Sequence, residues 1–581
     1  MSLERATWRA SLKAAACDLL LVESVCLEAW SGELAEVVGW SRDNGVPTAL
    51  WNTGDPERTD GFIAVAELFD HVFTVDLNSV RRYCHDLGHE RVHLLPLAAQ
   101  PRLHGPIGSA ERKRAAVIVE ERRGNGERFA RDVAAVNAGA TRVLPVEAGG
   151  PGAAWGKYAV VVGVEEVKSS LSAFGGGVFD ALGCATPVVT NYSRGVAALF
   201  GELVPQSDGA DGIEAALRNV VANREETDKR RAVALRKILS EHTCEHRLRY
   251  LASALADEPF EAARRSVAVV APVEGVADAE RVIALARAQE GVAVSVCLVG
   301  GGLRGAVERS DVMVLSPEEA GATTLGEAFP GTGAVALFCP GRWYGPHYLA
   351  GLAGAFAYSE ADVAVKATRY LAPGGDEGAR IVDDGLEYRW VGGEAEPARA
   401  VFRADRVADV LIADLIAGKL GGGLGRVASV DRFDYCEGPG ARGLAGMEFS
   451  ATLDVGMGMP LAVLTAAADR VGEEFLDTPS PVEIDPVSFP DTIRTEASGA
   501  RVAVKRTASG AVVYHCAGEA SPTVIPLRDA VPIEEMWHSR SRALVTTDID
   551  GCGASGLVID WLDAAGRRIA GRTYSGAETW D

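Results

Sequence analysis

Three consecutive glycines, Gly175, Gly176 and Gly177, stand immediately before the helix-forming run Val178–Leu182. Backbone without Cβ atoms lets an anion approach closely, and amides at a helix start donate to it. The plainer reading is a tight strand–helix turn. A second loop, Trp51-Asn52-Thr53-Gly54-Asp55-Pro56, lies just past an apolar strand-like stretch. Open α/β sheets place their ligands at such carboxyl ends. Asp55 brings a carboxylate there, although an Asp before Pro also serves simply as a turn former.

Three further patterns carry ligand-type side chains. His89-Glu-Arg-Val-His93 has H-E-x-x-H spacing, which binds zinc only on a helix. Here it runs from Gly88 into the apolar stretch Val92–Leu95, so in a strand the two imidazoles stand about 13 Å apart. His242 and His246, flanking Cys244, fall on a plausible helix with no third ligand evident, and read as surface histidines. Asp548-Ile-Asp550-Gly fits a β-turn with two solvated carboxylates, with a Ca²⁺ site beside a glycan as the alternative.

The elements that must position these groups are legible from hydrophobic runs. Short apolar stretches at 19–22, 47–50, 71–75 and 92–96 alternate with helical patterns at 28–44, 61–70 and 78–87. A second series, at 115–119, 142–146, 158–164 and 187–190, follows a joint near Gly105-Pro106. Near-continuous apolar strands between helices mean parallel sheets covered on both faces. Residues 226–256 read as a closing helix pair. After Pro259 the alternation restarts, with strands at 266–271, 292–299, 311–315 and 334–338 and helices at 277–290, 346–357 and 404–418. From about 440 the pattern becomes short alternating runs with Gly, Asp and Pro turns, interrupted by a helix near 459–469. That reads as a β-rich, sandwich-like domain.

The chain has 581 residues, enough for three or four domains. Its 58 basic against 80 acidic residues give a net charge of −22. This argues against nucleic acid or an anionic membrane as partner, because both reward basic patches. No apolar run reaches the ~18–20 residues of a membrane span, and no signal peptide is read. The ten cysteines are scattered without a C-x-x-C pair, which fits a reducing cytoplasm.

The runs Leu19-Leu-Leu-Val-Glu-Ser-Val25, Pro47-Thr-Ala-Leu-Trp-Asn-Thr-Gly-Asp-Pro56, Phe69-Asp-His-Val-Phe-Thr-Val-Asp76 and Leu95-Pro-Leu-Ala-Ala-Gln-Pro101 resemble the N-terminal domain of the CgeB-like (spore-maturation-type) bacterial glycosyltransferases. The stretch from Lys168 to Thr190, then Asn191-Tyr-Ser, then His242-Thr-Cys-Glu-His-Arg-Leu248, resembles the family's C-terminal half. The resemblance spans 17–255. It implies a GT-B fold, two Rossmann-like domains with a nucleotide-sugar between them. It also implies donor-binding roles for Lys168, Gly175, Gly176, Gly177 and Asp180, with Asp180 accepting from ribose or sugar hydroxyls. Trp51 and Asn52 fall on the acceptor side, and Asp55 becomes the candidate catalytic base. The sequence also departs from the family. Gly176 and Gly177 stand where it has two arginines, Asp180 where it has Glu, and Thr53 and Gly54 where it has Lys and Glu. Whether basic side chains from elsewhere, such as Lys168, Arg194 or Arg122, fill the vacated arginine space separates an active transferase from one that has lost its catalytic groups.

Residues 265–437 more loosely resemble family-2 glycosyltransferases of GT-A fold, through Trp343-Tyr-Gly-Pro-His-Tyr-Leu, Ala361-Asp-Val-Ala-Val-Lys366 and Ser429-Val-Asp-Arg-Phe-Asp-Tyr435. Such enzymes hold a metal by Asp-x-Asp after a strand. Here that place reads Cys339-Pro340-Gly341, so the module is expected to be non-catalytic.

The expected architecture is therefore α/β. It comprises Rossmann-like domains at 1–105 and 106–262, a GT-A-like α/β domain at 263–440 and a β-rich domain at 441–581. The expected function is transfer of a sugar from a nucleotide-sugar to a surface polysaccharide or glycoconjugate, in the cytoplasm, with no metal or other cofactor. The alternative is a pseudo-glycosyltransferase acting as scaffold, glycan-binding or partner subunit. The resemblance leaves room for a homo-oligomer or a partner glycosyltransferase.

Overall fold

The structure is a computed structural model. It describes most of residues 7–477, with breaks at 16, 31, 109–111, most of 121–136, 139–140, 146–154, 257–263, 308, 375–376, 393–394, 421–424 and 442–448. Beyond 477 it describes four strands.

Residues 1–477 form one compact unit and 478–581 a second. In the first, β1 (Leu20–Glu23), β2 (Thr48–Asn52), β3 (His71–Thr74) and β4 (Val92–Leu94) make a parallel sheet in sequence order. The expected helix at 28–44 is a short turn at Leu27–Trp30 and a helix at Leu34–Asp43. The helix Leu77–Leu87 begins with Asp76 accepting from Ser79 N and ends at Gly88, φ 69°, a residue free of the Cβ clash in that conformation.

The second sheet has β5 (Lys113–Glu120), β6 (Asn137–Ala138), β7 (Thr141–Pro145), β8 (Tyr158–Val164) and β9 (Val188–Thr190) in the order β6-β7-β5-β8-β9. Apart from β6 it is parallel. The strand order reverses at β5, so the ligand crevice of such a sheet lies beyond the carboxyl ends of β5 and β8. The helices Arg224–Glu241 and Cys244–Ala256 form the expected closing pair.

The third module contains β10 (Arg265–Pro272), β11 (Val292–Val299), β12 (Val312–Leu315), β13 (Ala334–Leu337), β14 (Trp343–Tyr344), β15 (Val363–Val365), β16 (Arg369–Leu371), β17 (Arg380–Val382), β18 (Trp390–Val391), β19 (Ala400–Arg403), β20 (Val427–Ser429) and β21 (Tyr435–Glu437). Eight of them make the mixed sheet β12-β11-β10-β13-β19-β15-β20-β18, and four make β14-β21-β16-β17. The expected helix at 404–418 is two short ones, Ala404–Val407 and Ile412–Ile416.

The helix Leu461–Asp477 lies against the helix Leu77–Leu87 and β4, with Leu464 and Ala468 in the same apolar core as Val80 and Leu94. Residues 441–477, read from the sequence as the start of the β-rich domain, thus fall inside the first unit. Periodicity located the helix, but not the distant surface that buries its apolar stripe. In the second unit, Arg501–Arg506 pairs antiparallel with Val512–Ala517, and Gly556–Leu562 with Arg568–Ser575. Asp548 and Asp550 lie outside the described residues.

Candidate functional site

The segments after β3 and β4 meet the segment after β8, between the first and second sheets. On the first side, Asp55 is only 4% exposed. Its Oδ1 accepts from Asn52 Nδ2 at 2.8 Å and Thr59 Oγ1 at 2.7 Å, and its Oδ2 accepts from Thr74 Oγ1 at 2.6 Å. Burial pushes its pKa up to about 6, against the lowering effect of the Thr74 and Thr59 hydroxyls. Its oxygens are thus spent on holding the loop. The rest of the loop is tied likewise: Trp51 Nε1 donates to Leu95 O, Thr53 N to Ser24 Oγ, and Gly54 N to Asn52 Oδ1. Asn52 is fully buried, and Trp51 keeps partial exposure.

On the second side, Gly175 N donates to Glu165 Oε2 at 2.6 Å. Glu165, 4% exposed, directly follows β8. Asn191, past β9, fixes its backbone, accepting from Glu165 N and donating to Glu165 O. The cavity among Gly163, Glu165, Gly175 and Gly177 measures about 10 Å³, room for one water.

The helix Gly177–Gly183 turns one face to the segment joining the halves. A Cβ on Gly176 would touch Leu97 Cδ1 at 3.4 Å, and one on Gly183 would meet His104 O at 2.9 Å. Asp180 Oδ1 stands 2.6 Å from His104 Nδ1. Asp180 is therefore directed at the linker residue His104. Of the cations whose placement separates the two readings, Lys168 is exposed and paired with Asp208 at 2.8 Å. Arg194 is exposed, and Arg122 lies outside the described residues.

Direct contacts join the two sides. Ser170 Oγ donates to Asp76 Oδ1 at 2.6 Å, Ser172 Oγ to Val75 O, and Leu77 N to Ser172 Oγ. Sequence reasoning missed Asp76, Ser170, Ser172, Glu165 and His104. Asp76 and Glu165 did carry a signal, each being an acid within two residues of a buried strand's carboxyl end.

The ligand-type decoys are placed plainly. His93 lies in β4, with Nε2 3.5 Å from His71 Nδ1. His242 is not a surface residue: it is fully buried between Phe179 and Phe200, in the break between the two closing helices. No group of three or more His, Cys, Asp or Glu suited to a metal occurs among the described residues.

In the third module, Cys339 N donates to Tyr344 OH, and the Tyr344 ring stacks on Phe338 at 4.0 Å. Trp343 packs against Phe449. Both aromatics are core residues here. Arg342, just beyond Gly341, is held by Tyr435, Glu396 and Glu437.

Residues 158–253 match a protein family described as glycosyl transferase-like. That stretch begins at β8 and ends within the second closing helix. Comparison with curated proteins finds no match. Among solved structures, the chain is similar to the crystal structure of CalG4, the calicheamicin glycosyltransferase. The identity is 14% and the TM-score 0.22, over 43% of this chain and 79% of that one; no assignment rests on a likeness at that level. The chain thus carries a glycosyl transferase-like segment in its second Rossmann-like half, within a mixed α/β fold containing several parallel sheets. No helix among the described residues is long and apolar enough to cross a membrane.

Proposed function

We propose that the chain is a glycosyltransferase of the CgeB-like type that takes a nucleotide-sugar between its Rossmann-like halves at 1–105 and 106–262. One observation carries the reading: the glycosyl transferase-like match covers the β8–loop–helix–β9 unit at the sheet's reversal of strand order. The Gly175–Gly177 loop and Lys168 are the donor-side groups, and Trp51 and Thr53 face the acceptor. Asp180, turned to His104, positions the helix. Asp55 shapes the 51–56 loop, so the proton acceptor is a separate question from that residue. The acceptor is a surface polysaccharide or glycoconjugate, and the reaction belongs to the cytoplasm. The leaving diphosphate is neutralised by amides and cationic side chains. The third module is a GT-A-like partner domain without Asp-x-Asp after β13.

A pseudo-glycosyltransferase reading is favoured by the enclosed Asp55 carboxylate and by Leu97 in contact with the Cβ position of residue 176, where the family has arginine. A donor panel separates the two. Thermal shift with UDP-, GDP-, CMP- and dTDP-sugars in EDTA should raise Tm with one nucleotide class. Hydrolysis or transfer of that sugar marks the enzyme, and binding without turnover marks the pseudo-enzyme. No shift with any donor sinks the enzyme and any donor-binding form of the alternative.

A further inference from the structure

The segment 449–469 touches all three modules of the first unit. Its start is fixed in the third module: Phe449 packs on Trp343 and Tyr370, and Ser450 Oγ donates to Asp434 Oδ1 at 2.5 Å. It then crosses the second half. Arg236 donates to Ala451 O at 2.7 Å, Glu202 N to Gly456 O at 2.6 Å, and Met459 N to Ala198 O at 2.7 Å. Two glycines make this crossing. A Cβ on Gly458 would lie 2.4 Å from Leu199 O, and one on Gly201 would lie 2.2 Å from Gly456 O. Both have positive φ, 69° and 53°, so side chains are excluded on two grounds.

Glu241 Oε2, at the end of the first closing helix, accepts from Leu461 N at 2.8 Å, and Tyr250 OH of the second closing helix donates to Asp469 Oδ1. Between these ties the segment's helix seats Leu464 and Ala468 on the first half, against Leu77–Leu87 and β4.

We propose that residues 449–469 are a built-in clamp. They fix the spacing of the two Rossmann-like halves and tie the opening of the cleft to the third module. Ligands held between two domains ordinarily enter and leave by hinge motion. The halves are joined by polar bonds such as Ser170–Asp76 and by Tyr250 and Leu251 of the second closing helix packed on the first sheet. The clamp adds Leu464 and Ala468 buried on the first half, tied through Gly456, Met459 and Leu461 to the second. The inference concerns motion, and it stands whether or not the cleft turns over a sugar.

Hydrogen–deuterium exchange on the full chain tests it. Leu464→Asp releases the helix, and Gly458→Val breaks the crossing at an independent point. Val463→Asp, on the same helix but 50% exposed, is the charge control. In both clamp variants the amides of 77–87 and 168–174 should exchange about tenfold faster or more, with β10 and β11 still protected. The control should match the wild type. Unchanged exchange at 77–87 in both variants overturns the clamp. So does equal loss of protection in β10 and β11, which would make the segment ordinary core.

Discussion

His104 Nδ1 lies 2.6 Å from Asp180 Oδ1, joining the segment between the two Rossmann-like halves to the helix that follows the triple glycine. It is an electrostatic contact rather than an aligned hydrogen bond, with the two side chains 13% and 22% exposed. Asp180→Ala removes it. Partial exposure lowers the worth of the pair, so a loss of ~1 kcal/mol is expected. Donor affinity should not change. Urea unfolding and calorimetric titration read the two quantities separately. A tenfold loss of donor affinity at constant stability would return Asp180 to the ligand.

Asp55 makes the stability of the first half depend on pH. Its folded pKa is about 6 against an ordinary 3.8, because burial disfavours the charged form. Below 3.8 both states hold the proton and its contribution to stability is full. As pH rises from 3.8 through 6 the unfolded chain ionises first, and stability falls. Asp55→Asn should remove this slope, gaining roughly 1–3 kcal/mol over the wild type at pH 8 relative to pH 4. Denaturant midpoints at the two pH values check it, and parallel slopes in the two proteins would refute it.

His93 acts in the opposite direction. Half-buried against Phe73, with His71 3.5 Å away, it has its pKa pushed down to about 4 from 6.5 by desolvation. Its contribution is present above 6.5 and is lost as pH falls towards 4, since the unfolded chain takes up the proton first. His93→Phe should flatten the acid limb between pH 6.5 and 4 by roughly 1–3 kcal/mol. Chemical denaturation across that range, compared with Asp55→Asn, separates the two limbs.

The parallel sheets were legible because β2, β8, β10 and β13 are continuous apolar runs bounded by turns, and β10 was placed to within a residue at each end. What the sequence hid is long-range. Nothing near Asp55 announces that Thr74, 19 residues on, closes over it. Nor does the pattern at 461–468 name helix 77–87 as its seat. His242 looked like a surface residue because its burial depends on Phe179 and Phe200, brought from other elements. Nor does the run Gly175–Gly177 show that a Cβ at Gly176 would touch Leu97 of the same chain.

Arg247 is the strictest single point holding the linker. It is 4% exposed and donates from Nε to Pro96 O at 2.7 Å and from its two terminal nitrogens to Leu97 O and Glu241 O, both at 2.9 Å. Three carbonyls from two separated segments converge on one planar fork. Arg247→Met keeps much of the volume but leaves those acceptors buried and unpaired, at a penalty of about 1–3 kcal/mol per group. Partial relaxation should leave a net loss of ~3–5 kcal/mol, comparable to breaking a buried charged network. Arg247→Lys should recover less than half of that, because an ammonium on a flexible stem cannot reach three carbonyls in fixed directions. Equilibrium unfolding of the three proteins tests the order wild type, Lys, Met. A Lys variant as stable as wild type would mean that charge alone, and not the fork, secures residues 96–97 to the closing helices.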